Sequence, residues 1–282
     1  MLLVLSSKEN LVFHLTTSWS LRLCSSDSIF DMDTMLYTFP ELTALLIVTC
    51  GIVLQTWFGI GFGLVAAPLL FLINPSYVPG PILILGTSLS VLVVSRITLM
   101  SNQGELNWRR IAPAIIARLP GAWLGALLLV SIPAWSLSLL FGASLLLAVL
   151  LTWKVFKVQT SKISLIIGGF FSGLIGTATS VGGPPMALVY QEQNRITIRN
   201  ELAAFFLIGT PFSILALMHQ GNIDTEIAML SLKMLPGVLI GFWLAHKVDG
   251  KIRAESAKPV LLTVSAVSAI FVIYKGISGW LG

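Results

Sequence analysis

The sequence predicts an all-α polytopic membrane protein, built as an inverted-topology tandem repeat with two broken or re-entrant helix pairs. Three observations predict it. Of 282 residues, 56% are hydrophobic and 10% charged, with a mean hydropathy of +0.91, which is far more apolar sequence than a globular domain of this length can bury. The apolar residues fall into ten runs, five in each half of the chain. Finally, Gly51, Gly59 and Pro68 recur as Gly168, Gly176 and Pro185, each 117 positions later.

Taken in order, residues 1–40 read as a loosely ordered tail, with native translation starting at Met32 or Met35: the stretch 11–23 is too short and too polar to span a bilayer, and no secretory cleavage site follows it. The first repeat, residues 41–157, holds apolar runs at 42–58, 62–73, 79–100, 111–130 and 134–153. The second repeat, residues 158–282, holds runs at 163–175, 184–190, 198–218, 227–245 and 257–274. The last three runs of each half suit a hydrocarbon core about 30 Å thick. A run of about 12 residues rises only about 18 Å as a helix, so the short runs read as half-helices or re-entrant arms. The repeat also aligns Asn102-Gln103-Gly104 with His219-Gln220-Gly221, and Leu119-Pro120-Gly121 plus Gly125 with Leu235-Pro236-Gly237 plus Gly241.

Charge gives the handedness. Lys and Arg gather around Arg109-Arg110 and in 154–162, 195–199 and 247–258, whereas 74–80, 131–133 and 219–226 carry none. An odd number of crossings per half puts every basic linker on one side, the cytoplasmic one, and both termini outside. The halves are then inverted copies. The scattered basic residues, for a net charge of +5, are topogenic rather than a nucleic-acid face. Cys24 and Cys50 form no metal spacing, and His14, His219 and His246 are dispersed, so no metal or cofactor is expected. A membrane enzyme would need a base beside its hydroxyls, and the chain offers none.

Inverted repeats with interrupted helices at matching positions are a signature of secondary transporters. In the second break, Thr177, Thr179 and Ser180 supply hydroxyls, and the backbone through Gly182 and Gly183 precedes Pro184 and Pro185, which can open a short helix. Together these residues suit an anion nest. The first break has Gly59, Gly61, Gly63 and Pro68, with Gln55 and Thr56 as its nearest polar groups, so the expected site is asymmetric. The alternative is that the small residues only let helices pack closely. Arg118 lies midway along its run, and Lys233 lies one position off the aligned place. Each costs roughly 2.5 to 3.5 kcal/mol at a helix centre and should face the interior. Glu41, Glu201 and the other acidic residues fall at run ends or in linkers, which leaves the deep cations without a protein counter-ion and favours an anionic substrate. Arg118 could instead hold carbonyls freed at Pro120, such as that of Ile116, and Lys233 could snorkel. Arg96, near a run end, reads as topogenic.

The paired motifs Gly59-Ile-Gly-Phe-Gly-Leu-Val-Ala-Ala-Pro68 and Gly176-Thr-Ala-Thr-Ser-Val-Gly-Gly-Pro-Pro185, with the Gln-Gly turns and the Leu-Pro-Gly-x-x-x-Gly segments, resemble the TauE/SafE sulfite exporter family over residues 41–279. The resemblance implies a multi-pass permease of the cytoplasmic membrane for small sulfur-containing anions such as sulfite or organosulfonates, with export as the expected direction. The partners expected are the anion and the lipid bilayer, with a homo-oligomer left open. The alternative is a membrane subunit of a larger assembly with no flux of its own.

Overall fold

The computed structural model describes residues 37–99, 106–152, 158–247 and 254–281, with side chains from 259 onward in the last segment. The tail, Asn102-Gln103-Gly104 and the basic residues of 154–157 and 248–253 lie outside them. The chain divides into Met1–Phe39 and Pro40–Gly282, and the helical bundle is the second unit. Among the described residues every regular element is helical: α1 Phe39–Phe58, α2 Ala67–Ile73, α3 Gly80–Leu99, α4 Trp108–Ser131, α5 Ala134–Thr152, α6 Lys162–Thr179, α7 Gly183–Val189, α8 Arg195–His219, α9 Thr225–Lys247 and α10 Ala254–Leu281. A π-turn, Phe62–Ala66, leads into α2, and a 3-10 turn, Pro75–Tyr77, precedes α3. The ten apolar runs coincide with these ten helices. Among the described residues, eight helical stretches are long and apolar enough to cross a membrane; α2 and α7 are the short ones.

The boundary at the second break differs from expectation. The run ending at Ile175 continues as helix to Thr179, so α6 reaches spanning length. Gly176 does not end it, because the side chains beyond it are small and their hydroxyls find acceptors: Thr177 Oγ1 donates to Ser213 Oγ (2.7 Å) and Thr179 Oγ1 to the Ile175 carbonyl (2.7 Å). The break falls instead at Ser180, in the left-handed region at φ 63°, whose N–H closes back on the Gly176 carbonyl. Pro184 and Pro185 then sit in the first turn of α7, where a missing N–H costs nothing.

The first break is made differently. Gly59 and Gly61 have φ of 75° and 138°, values that side-chain-bearing residues rarely adopt. The Gln55 amide spans the gap: its Nε2 donates to the Gly59 carbonyl (2.8 Å), and its Oε1 accepts from the Phe62 N–H (3.1 Å). At the matched glycines the short helices lie against the long ones. A Cβ on Gly51 would stand 2.9 Å from Phe62, and one on Gly168 would stand 2.9 Å from Val189.

Glycines also set the closest helix pair, α4 on α6. A Cβ on Gly121, Gly125, Gly169 or Gly173 would lie 2.2 to 2.4 Å from a backbone carbonyl oxygen of the facing helix. Small residues of this kind let membrane helices approach to backbone contact. The contacts pair Ala114 with Gly169 and Arg118 with Gly173, so the helices run parallel. Gly237 and Gly241 of α9 pack in the same way on Leu45, Val48, Thr49 and Ile52 of α1. The third helices of the two sets, α3 and α8, run antiparallel. Leu83 clusters with Ala216 and Leu217, while Val94 packs against the cluster holding Leu202 and Phe205. Pro120, Pro211 and Pro236 sit inside α4, α8 and α9 without ending them. Arg96, Arg110, Arg195 and Arg199 share one end of the bundle, tied there by Arg110–Glu201, by Arg195 to the Trp57 carbonyl, and by Trp57 to the Ala245 carbonyl.

Candidate anion site at the two helix breaks

The two breaks meet. A Cβ on Gly63 would lie 2.3 Å from the Ser180 carbonyl oxygen, and Ser180 Oγ donates to the Pro79 carbonyl (3.0 Å) at the start of α3. Between them lies a cavity of about 60 Å³, walled by Gln55 and residues 60–64 on one side, and by Gly176 and residues 180–184 on the other. Ile82, Leu83, Gly86, Leu89 and Ser90 of α3, Phe206 and Thr210 of α8, and Arg118 of α4 close it. On the scale of roughly 10 to 15 Å³ per water-sized group, that is room for a molecule of about four to six heavy atoms.

Arg118 is the chemically decisive wall. It is 1% exposed, held where α4 touches α6 and α8. Its Nη1 donates to Ser172 Oγ (2.9 Å), and its Nη2 reaches Thr210 Oγ1 (3.5 Å) and Ser213 Oγ (3.4 Å). The rings of Phe205 and Phe206 lie 5.0 and 5.3 Å from the guanidinium carbon, a cation–π setting that replaces some lost hydration. Nε is buried with no hydrogen-bond partner, and among the described residues no carboxylate lies within ion-pairing distance. Hydroxyls and rings offset only part of the desolvation of a full charge, which runs to several kcal/mol in a protein interior. The guanidinium is not spent on the Ile116 carbonyl, as a purely structural role at Pro120 would require.

A hydroxyl relay locks the arrangement. Ser172 accepts from Arg118 while donating to the Gly182 carbonyl (2.5 Å), so one side chain joins the cation to the second break. Thr177 donates to Ser213, itself an Arg118 partner. On the other flank, a Cβ on Gly209 would stand 2.2 Å from Arg118 Cδ. That glycine leaves the channel through which the long side chain passes.

The structure therefore gathers Arg118, Ser180, Gly182, Gly183 and Gln55 around one space, with Gly61, Gly63 and Pro184. Thr177 stands one hydroxyl behind it, and Thr179 bonds within its own helix and accepts from Ser144 Oγ (3.4 Å). Thr56 donates to the Ile52 carbonyl and faces a separate, smaller cavity. Gly59 packs against the backbone of Arg199, while Pro68 and Pro185 are buried in the short helices.

One expectation about charge is corrected. Lys233 does not lack a protein partner: its Nζ lies 2.9 Å from Glu41 Oε1, with both side chains partly exposed. Glu201, near the start of α8 as expected, is fully buried there and paired with Arg110. Sequence reasoning missed Ser172, Thr210 and Ser213. The signal for the last two was a spacing, since Phe206, Thr210 and Ser213 stand at i, i+4 and i+7, one face of a helix otherwise apolar there.

Residues 43–272 match the family Sulfite exporter TauE/SafE. A protein of Cupriavidus necator named Probable sulfite/organosulfonate exporter TauE is 25% identical over 201 residues, covering 68% of this chain and 78% of that relative. No solved structure matches.

Proposed function

Since the chain belongs to the sulfite exporter TauE/SafE family of membrane transporters, we propose that it is a secondary transporter that exports small sulfur-containing oxyanions, sulfite or an organosulfonate, through the cavity between its two helix breaks. The observation that carries this reading is Arg118: a fully buried cation with no carboxylate partner among the described residues, on the wall of a space sized for a small oxyanion. An anion there supplies the missing counter-charge and accepts from the guanidinium, whose fork geometry suits two oxygens at once. Ser180, Gly182 and Gly183 form the facing wall, Gln55 the opposite one, and Ser172 and Thr177 position the cation.

The architecture we propose for that task is two inverted repeats, residues 41–157 and 158–282, each with one broken helix pair, α1–α2 and α6–α7, whose short arms fold back as re-entrant elements. The antiparallel pairing of the equivalent helices α3 and α8 supports inversion, and the basic residues at one end support a cytoplasmic end there with both termini outside. Rocking of one repeat against the other, with Gly63 and Ser180 as the contact, would expose the cavity alternately to the two sides. A membrane potential negative inside favours anion efflux by about 2.3 kcal/mol per charge per 100 mV.

The test is sulfite flux into liposomes carrying the purified chain, beside Arg118→Gln. The expected result is flux with the wild type and a 30- to 100-fold weaker sulfite affinity, with roughly matching loss of flux, in the variant. Absence of wild-type flux for sulfite, sulfonate and thiosulfate alike would overturn the reading.

A further inference from the structure

A second cavity lies farther along the same helix face. α3 presents Gly86 and Ser90 to the central cavity and, in its next turns, Val93, Arg96 and Ile97 to a smaller one. α1 divides its residues in the same way, with Gln55 on the central cavity and Thr56 on the outer one. Arg199 of α8 and His246 of α9 complete the outer wall, and no carboxylate among the described residues lines it. Arg96 Nε is buried without a hydrogen-bond partner. From Ser90 to Arg96 the helix rises only about 9 Å, and Ser90 on the central cavity and Val93 on the outer one, three residues apart, are both buried.

We propose that Arg96, with Arg199 and His246 beside it, forms an outer anion site on the transport path, which collects a small oxyanion at the basic end of the bundle and passes it along α3 to Arg118. This rests on the transporter reading above. A cation-lined cleft with low-dielectric walls raises the local concentration of anions and their rate of arrival. Arg96 is then more than a topogenic charge: it faces inward, in line with the central site. The outer cavity measures about 10 Å³, room for roughly one water-sized group, so this conformation is shut at that end. The site fills when α3 and α9 part there. The same chemistry would suit a lipid phosphate as well as the free anion, and the experiment separates the two.

Sulfite flux is measured at sub-saturating concentration in phosphatidylcholine liposomes, with and without phosphatidylglycerol, for wild type, Arg96→Gln and Arg96→Lys. Equilibrium sulfite binding to each purified chain is measured in parallel. For R96Q we expect flux about tenfold lower in both lipid mixtures, a binding constant within about twofold of wild type, and a weaker salt dependence of flux. R96K should recover most of the loss, because it keeps the charge. Unchanged flux in R96Q would overturn the inference. So would a fall in binding that matches the fall in flux, which would make Arg96 a support of the central site. A defect confined to vesicles with phosphatidylglycerol would make the cluster a lipid-headgroup seat and overturn it too. Lack of wild-type flux would overturn the transporter reading itself, whereas wild-type flux with a normal R96Q removes only the outer site.

Discussion

The two helix breaks use one aligned position for different ends. Gln55 and Ser172 are 117 residues apart, and each side chain reaches across its own break. The longer amide satisfies both sides of the first break, the Gly59 carbonyl with its nitrogen and the Phe62 N–H with its oxygen, and makes no bond to Arg118. The shorter hydroxyl satisfies only the Gly182 carbonyl and keeps a lone pair for Arg118. Freed backbone at membrane depth must be covered in either case. What differs is what is left over: the first break is closed on itself, while the second holds a cation at the shared cavity. On the reading proposed above, the two breaks divide into a structural arm and a ligand-binding arm, and one change of side-chain length and one arginine separate them.

The sharpest way to break that comparison, after Arg118→Gln, is to move the cation without removing it. In Gly209→Ala the new methyl would overlap Arg118 Cδ at 2.2 Å, and the side chain must leave its place among Ser172, Thr210 and Ser213. We expect about tenfold weaker sulfite binding by equilibrium titration, with a loss of stability of about 1 to 3 kcal/mol in detergent unfolding. Wild-type affinity in G209A would mean that the charge matters but its placement does not.

Much of this plan is legible in the sequence. Apolar runs of about 20 residues leave no soluble alternative, and Gly and Pro at constant offset mark both breaks, because they are the residues that stop and start helices. The depth of Arg118 is readable for the same reason: a lone arginine midway along an apolar run stands out. Its partners do not. Single Ser and Thr residues in such helices commonly bond the carbonyl four residues back, as Thr49, Thr87 and Ser88 do here, so Ser172, Thr210 and Ser213 carry no mark of their own. Pairing across the chain is equally hidden: Lys233 and Glu41 are 192 residues apart, and Arg110 and Glu201 are 91 apart. The second break reads too early in the sequence because Gly176 looks like a stop until the acceptor for the Thr177 hydroxyl, Ser213 on α8, is known.

The next pair of changes tests the aligned position itself. Ser172→Ala leaves the Gly182 carbonyl without its donor and takes one acceptor from Arg118. We expect a stability loss of about 1 to 2 kcal/mol and sulfite binding weakened about fivefold. Gln55→Leu strips both backbone groups of the first break, so its stability loss should also be about 1 to 2 kcal/mol. Its affinity should stay within about twofold, since the Gln55 oxygen and amide are already engaged. Equal affinity losses in the two variants would dissolve the division between a structural and a binding arm.

The smallest effect expected is at Thr179. The residue is 1% exposed and its hydroxyl donates to the Ile175 carbonyl one turn back, so it spends its proton inside α6 rather than on the cavity. Valine at this position matches the shape, leaves the helix hydrogen bonds of the backbone in place, and removes a weak acceptor at 3.4 Å from Ser144 Oγ and from the Val181 N–H. Ser144 keeps its bond to the Phe141 carbonyl (2.7 Å), so the donor that loses its acceptor is the buried Val181 N–H, which reached the hydroxyl at only 3.4 Å. Thr179→Val should therefore bind sulfite within about twofold of wild type and lose less than about 1 kcal/mol of stability. A tenfold loss of affinity in T179V would mean that the hydroxyl turns into the cavity when the anion is bound. The second break would then unwind by one residue during transport, and Ser180 would no longer mark where α6 ends in the loaded state.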